Sequence, residues 1–234
     1  MKRLTLLILI LAWVPALFAD GREQNPLQLQ WLTPSNWGPN ATAYDQGAAL
    51  GYHFNPQWYF GVSGRGRAEG ESAMGWMMGS ERMMFQQEGL DQSTYTREPT
   101  QTVELRWTPW DFGLYFSAGG LSLGAQSEHY VYDKRARILG DNAYTTDLDI
   151  QIDREAGSGA ALGAGYVWVS ESGFSLSAGS LIAVDQRQKT ITITTPNADS
   201  TVSEADLAHL KDDVSWRENM FPMSTFSLGV GWNF

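Results

Sequence analysis

The stretch from Phe226 to Phe234, FSLGVGWNF, constrains the fold more than any other part of the chain. Phe226, Leu228, Val230, Trp232 and Phe234 alternate with Ser227, Gly229, Gly231 and Asn233. A period of two belongs to a β-strand, whose successive side chains point to opposite faces. A strand with one face on a core and one in water normally carries charged or long polar groups on the wet side. Here the second face holds only Ser, Gly and Asn, too small to solvate a sheet. The pattern fits large apolar side chains turned to lipid and small ones turned into a crowded barrel interior. Lipid offers no partner for an unpaired backbone group, so a sheet that spans a membrane must close on itself.

Further strands of this kind precede it. Three hairpins stand out: AALGYHF and WYFGVSG around Asn55-Pro56-Gln57, TVELRW and FGLYFSAGG around Thr108-Pro109-Trp110-Asp111, and AALGAGYVWV and FSLSAGSLIAV around Ser170-Glu171-Ser172-Gly173. Pro, Asn, Asp and Gly supply the dihedral angles such turns need. An even antiparallel barrel requires one more strand, and Pro26 to Leu32 (PLQLQWL) supplies it. The expected fold is all-β: a closed antiparallel eight-stranded transmembrane β-barrel with short turns at one end and long loops and strand extensions at the other. The rival is a soluble lipocalin-like barrel. Alternation continues in Tyr130 and Tyr132, in Leu148, Ile150 and Ile152, and in Ile191 and Ile193, so a protruding sheet is predicted, with Gly140-Asp141-Asn142 as one tip. Ser203 opens SEADLAHLKDD, where an N-cap residue leads Leu207, Leu210 and Val214 at helical spacing.

The other terminus reads as a signal peptide over residues 1–19. Lys2 and Arg3 precede the apolar run from Leu4 to Trp13, and Ala19 is a small residue at the expected cut. Residues 20–234 then form the barrel domain. Without Lys2 and Arg3 the chain has 14 basic against 26 acidic side chains, a balance near −12 that speaks against nucleic acid as a partner. The sequence has no Cys, so neither a disulfide nor a thiolate metal site can staple it.

Aromatic residues gather at the short-turn end: Phe54, Trp58, Trp107, Trp110, Trp168, Trp232 and Phe234. An amphipathic indole is favoured at the headgroup level, so these predict an interfacial girdle. With the apolar rows outward, the inward set includes His53, Tyr59, Ser63, Arg65, Arg67, Glu104, Arg106, Tyr115, Ser117, Ser175, Ser177 and Asn233. Buried charges must be paired. Arg65, Arg67, Glu104 and Arg106 are therefore expected as one interior ion cluster, Glu104 bracketed by arginines and its remaining hydrogen bonds finished by Tyr59 or Tyr115. Eight strands leave an interior just wide enough for side chains, which favours a plug over a selective constriction.

Other chemistry finds little support. His53, His129 and His209 lack the His–Ser or Asp–His signatures of outer-membrane lipases and proteases, and only Ser127 shares a strand face with His129. Met74, Met77, Met78, Met83 and Met84 offer soft ligands for Cu(I), but an apolar rim is the better reading. Asp141, Asp147, Asp149, Asp153 and Glu155 read as a solvated row, with divalent bridging to lipopolysaccharide as a side hypothesis. No residue set is assigned to catalysis, a cofactor or a resident metal.

The signal peptide, the hairpins WYFGVSG and FGLYFSAGG, and the terminal GVGWNF resemble the small eight-stranded outer-membrane proteins of the OmpA, OmpX, OmpW and opacity-protein group. The terminal strand ending at Phe234 is similar to the carboxy-terminal insertion signal of that group, with no peptidoglycan-binding domain expected beyond it. The resemblance implies a monomeric barrel in the bacterial outer membrane. Its implied partners are membrane lipid and lipopolysaccharide, together with the barrel-assembly machinery that reads Phe226, Leu228, Val230, Trp232 and Phe234. It also implies a non-enzymatic structural or surface-interaction role. A narrow conduit for small apolar or amphiphilic solutes is the alternative, and a lipid A-modifying enzyme the second.

Overall fold

The computed structural model describes residues 21–33, 36–37, 42–43, 46–70, 87–185, 187–220 and 223–234. The predicted signal peptide at 1–19 and the methionine-rich stretch at 74–84 lie outside these. Eight strands close into an antiparallel barrel: Leu27–Thr33 (β1), Gly47–Asn55 (β4), Trp58–Arg65 (β5), Thr100–Trp107 (β8), Leu114–Leu123 (β9), Gly157–Val169 (β12), Phe174–Asp185 (β13) and Met223–Asn233 (β15). They follow one another around the wall in that order, and β1 pairs with β15 to complete the circle. The closure is hydrogen-bonded to its last residues, Leu27 N–H to Phe234 O at 3.0 Å and Phe234 N–H to Leu27 O at 2.7 Å. Two short strands, Asn36–Trp37 (β2) and Thr42–Ala43 (β3), extend the same sheet, and β2 keeps the β1 register on β15 across Pro34-Ser35.

The short turns explain themselves chemically. Asn55 Oδ1 accepts from the N–H groups of Gln57 and Trp58 at 2.9 Å each, holding the first hairpin turn. Gly173 closes the third at φ +90°, with its N–H on Ser170 O at 2.9 Å. All eight strands read from sequence are present, PLQLQWL included.

Beyond the barrel, five consecutive strands of the wall run on into a second sheet. Its order is Lys189–Thr194 (β14), Asn142–Arg154 (β11), Gln126–Leu139 (β10), Leu90–Arg97 (β7) and Ala68–Gly70 (β6). Each continuation is separated from its barrel strand by a break of two or three residues. These breaks are matched across the wall. Arg65 faces Thr100 below Gly66-Arg67 and Glu98-Pro99, and Ala68 faces Arg97 above them. Gly157 faces Leu123 below Gly124-Ala125 and Glu155-Ala156, and Arg154 faces Gln126 above them.

Between β5, β8, β9 and β12 register survives the breaks but side-chain phase does not, whereas from β13 to β14 phase is kept, with Ala183 and Ile191 both buried, and the pairing with the neighbouring strand shifts by one residue. In β9 the inward residues include Leu121 and Leu123, whereas in β10 the buried ones are Glu128, Tyr130 and Tyr132. The same change separates Arg97 from Thr100, and Ile152 from Ala161. A one-residue slip exchanges the two faces of a strand. Because Arg97 and Thr100 still line one lumenal cavity, the buried face of the outer sheet is continuous with the barrel interior.

That face carries its own core. Tyr130, Tyr132, Leu139, Leu148, Ile150, Ile152 and Ile191 pack with Val202, Leu210 and Val214, the last two from a helix over Glu204–Met220. The helix begins where Ser203 was read as its cap: Ser203 Oγ accepts from Asp206 N–H at 3.1 Å and donates to Asp206 Oδ2 at 2.6 Å. The predicted hairpin tip is also present, with Gly140 at φ +60° and Leu139 facing Asn142.

Candidate functional site

The barrel lumen is the place where polar chemistry converges. Glu104 and Arg106 stand two residues apart on β8 and so share its inward face, and both are buried. Arg106 Nε donates to Glu104 Oε1 at 2.9 Å, and Nη2 donates to the same oxygen. The guanidinium lies over two rings, Tyr59 of β5 at 4.5 Å from centroid and Tyr115 of β9 at 4.8 Å. Cation–π contact of this kind strengthens where water is excluded. Glycines make the space for it: a Cβ on Gly51 would fall 2.1 Å from the Tyr59 ring, and one on Gly179 would fall 2.3 Å from the Tyr115 hydroxyl.

Below this layer the lumen is filled by amides and hydroxyls. Gln28 Nε2 donates to Asn233 Oδ1 at 3.2 Å, Gln30 Nε2 to Ser175 Oγ at 3.3 Å, and Ser177 Oγ to Gln30 Oε1 at 3.0 Å. The His53 ring lies tilted against that of Tyr59, at 4.9 Å between ring centroids. At the short-turn mouth a helical turn, Gly21–Gln24, inserts Arg22, which is buried and donates to Asp111 O at 3.3 Å. Above the Arg106 layer a cavity of about 40 Å³ remains, bordered by Arg65, Thr102, Glu104, Tyr115 and Leu181. That volume is room for a few water molecules.

Two expectations need correction. Arg67 does not join the interior cluster. It falls in the break after β5, is 58% exposed, and pairs with Glu69 at 2.6 Å and Glu98 at 3.8 Å. The phase of β5 cannot be extended through Gly66, which is why alternation misassigns it. Tyr59 and Tyr115 do not complete the hydrogen bonds of Glu104 but cover Arg106 instead. Arg65 borders the cavity beside Glu104 and Arg106.

Outside the wall, the apolar rows are exposed, among them Leu29, Leu50, Phe60, Leu105, Phe116, Leu176, Phe226, Leu228 and Val230. The residues read as a girdle form two contact chains at the short-turn end. Trp58 lies 6.3 Å from Trp107, which lies 6.4 Å from Phe116, and Trp110 stacks on Phe112 at 5.4 Å. Trp168, Phe174 and Trp232 follow at 6.1 and 5.5 Å. Phe54 and Phe234 project beside them, both exposed.

A second buried ion pair went unread in the sequence. Glu128 sits between the lumen and the outer core, taking Arg154 Nη1 at 2.6 Å, Tyr130 OH at 2.6 Å and Gln126 Nε2 at 2.6 Å. Its burial depends on the phase slip, so alternation counted from the barrel assigns it to the wrong face. Gln28 and Gln30 were likewise missed, although in PLQLQWL they alternate with Leu27, Leu29 and Trp31, a signal that could have found them.

The histidines divide differently from one another. His129 Nε2 is 2.8 Å from Asp149 Oδ1 on the open face of the outer sheet, and no hydrogen bond joins it to Ser127 among the described residues. His209 is exposed, 3.9 Å from Asp213. The acidic row does not converge. Asp147 accepts from Asn197, Asp149 meets His129 and Asp153 accepts from Gln151, and among the described residues no group of three could hold a metal ion. Asp206 instead joins helix to hairpin tip, accepting from Asp141 N–H, Asn142 Nδ2 and Tyr144 OH at 3.1, 3.0 and 2.6 Å. Together with the Ser203 hydroxyl, the strongest of these influences, these donors hold its carboxyl well below the usual carboxylate range.

Two solved structures share this architecture. CarO of Acinetobacter baumannii aligns with a TM-score of 0.61 at 12% identity, covering 91% of this chain and 99% of that one. CarO2 of the same organism aligns at 0.58 and 10% identity, covering 89% and 99%. The chain therefore has the fold of the small eight-stranded outer-membrane barrels. No protein-family model matches the sequence, and no curated protein does.

Proposed function

We propose that this chain is an integral outer-membrane barrel with a structural and surface-presenting role, neither a channel nor an enzyme. The observation that carries the reading is the polar packing of the lumen among the described residues, in which Arg106 is fixed by Glu104, Tyr59 and Tyr115 and the cavity above it measures about 40 Å³. Membrane residence is supported by the continuous exposed apolar belt, which would be costly in water at roughly 25 cal/mol per Å². Export through a cleaved segment at 1–19, contact with lipopolysaccharide, and delivery to the assembly machinery through Phe226, Leu228, Val230, Trp232 and Phe234 complete the proposal. What is presented outside is a folded sheet braced by a helix, with an open face of Thr, Gln, Asp and His side chains. Planar-bilayer recording tests the central claim. The purified barrel should give no steady conductance, and a persistent unitary current would overturn the plugged reading.

A further inference from the structure

Among the described residues only two large apolar side chains are strongly exposed away from the barrel strands and their short turns. They are Ile138, 71% exposed near the hairpin tip, and Trp216, 62% exposed on the loop helix. An exposed tryptophan on a helix that already has an apolar stripe to bury is the less expected of the two. Leu210 and Val214 face the outer core, and Trp216 projects from another side of the helix.

The position of this indole follows from the chain. The N-terminal end of the helix is tied to the tip by Asp206, and its C-terminal end leads through two residues into Met223, the first residue of β15. Met223 faces Ala183 on β13, whose neighbours Ile182 and Val184 are exposed apolar residues of the upper belt. A rise of 1.5 Å per residue puts Trp216 only about 6 Å along the axis from the end of the helix. The chain from 220 to 223 adds at most ~10 Å, so Trp216 lies within about 16 Å of Met223 at the top of the lipid-facing belt, and Asp212 and Asp213 precede it on the helix by about one turn.

We propose that Trp216 seats the lower end of this helix in the sugar–phosphate headgroup layer of the outer leaflet, making the helix a strut between membrane and hairpin tip. The proposal rests on the reading of the barrel as membrane-spanning. An indole suits that layer because its ring covers apolar surface or a sugar face while its N–H donates to phosphate or hydroxyl oxygen. The partner is the glycolipid headgroup itself, and the contact fixes the height and lean of the outer sheet above the membrane.

The chain has no cysteine, which makes a clean test available. Trp216→Cys, Ile138→Cys and Leu228→Cys, each labelled with an environment-sensitive fluorophore, are reconstituted in phosphatidylethanolamine–phosphatidylglycerol vesicles containing lipid A. Quenching by a headgroup nitroxide lipid is compared with quenching by aqueous iodide. The label at 216 should be quenched severalfold more by the lipid nitroxide than the label at 138, with its emission moved to the blue. The label at 228 should be shielded from iodide. A label at 216 that behaves like the one at 138, while 228 stays shielded, overturns the strut and leaves the spanning barrel intact. Iodide access at 228 as well overturns the membrane reading and the strut with it.

Discussion

Arg106 is held by three kinds of contact at once: a charge-assisted hydrogen bond, two aromatic faces and the exclusion of bulk water. Each strengthens the others, since a low local dielectric raises the value of every electrostatic contact that is satisfied. The same condition makes a missing partner expensive. Glu104→Ala should leave the guanidinium buried without its carboxylate and cost about 3–5 kcal/mol. The measurement is the urea midpoint of the barrel refolded in vesicles, and an unchanged midpoint would show that Arg106 is solvated. At this scale much was legible. Glu104 and Arg106 were placed on one inward face by their spacing alone, and the outward row from Phe226 to Phe234 by its alternation. Arg67 and Glu128 were not, because both lie at or beyond the ring of breaks, where counting by twos loses its phase.

Whole elements were easier to read than their joints. The eight strands, the tip at Gly140-Asp141 and the helix start at Ser203 each carry local chemistry that survives in any context: alternation, turn residues, a cap. The helix runs to Met220, further than its apolar spacing showed, and its contact with the tip depends on Asp206, a residue that spacing presents only as a solvated acid. That contact has a pH signature. The folded-state carboxyl lies below its free value of roughly 3.9, so its contribution is full above that value and is lost as pH falls through the lower folded one. The tip should stay docked at pH ~4 and loosen only in stronger acid. Hydrogen-exchange protection of the Asp141 amide reports this, and protection lost between pH ~6 and ~4 would mean that Asp206 titrates as an ordinary carboxylate.

The molecule as a whole is two cores on one set of strands. One is polar and fills a tube; the other is apolar and sits over its mouth, the two joined at Glu128, Arg154 and Arg97. The inversion is the expected one for a sheet that passes from lipid to water, since the side turned away from the solvent changes its chemistry with the solvent. Leu228→Arg tests the lower half. A cation on the lipid side should cost ~2–4 kcal/mol near the bilayer midplane, read as a lower folding yield in vesicles, while an unchanged yield would place Leu228 elsewhere. The sequence shows why a barrel must form, yet it does not show that its extensions share a covered side. That outcome depends on matched breaks in neighbouring strands, and each break is only a Gly, a Pro or a single charged residue when read alone.

Those matched breaks also decide how the molecule bears load. Five strands cross the mouth without a register change except at β13–β14, so no single peptide link serves as a swivel. A pull on the tip runs lengthwise down hydrogen-bonded ladders, which must shear many rungs together instead of unzipping one by one. The projecting sheet is thus a cantilever held to its footing at five points side by side.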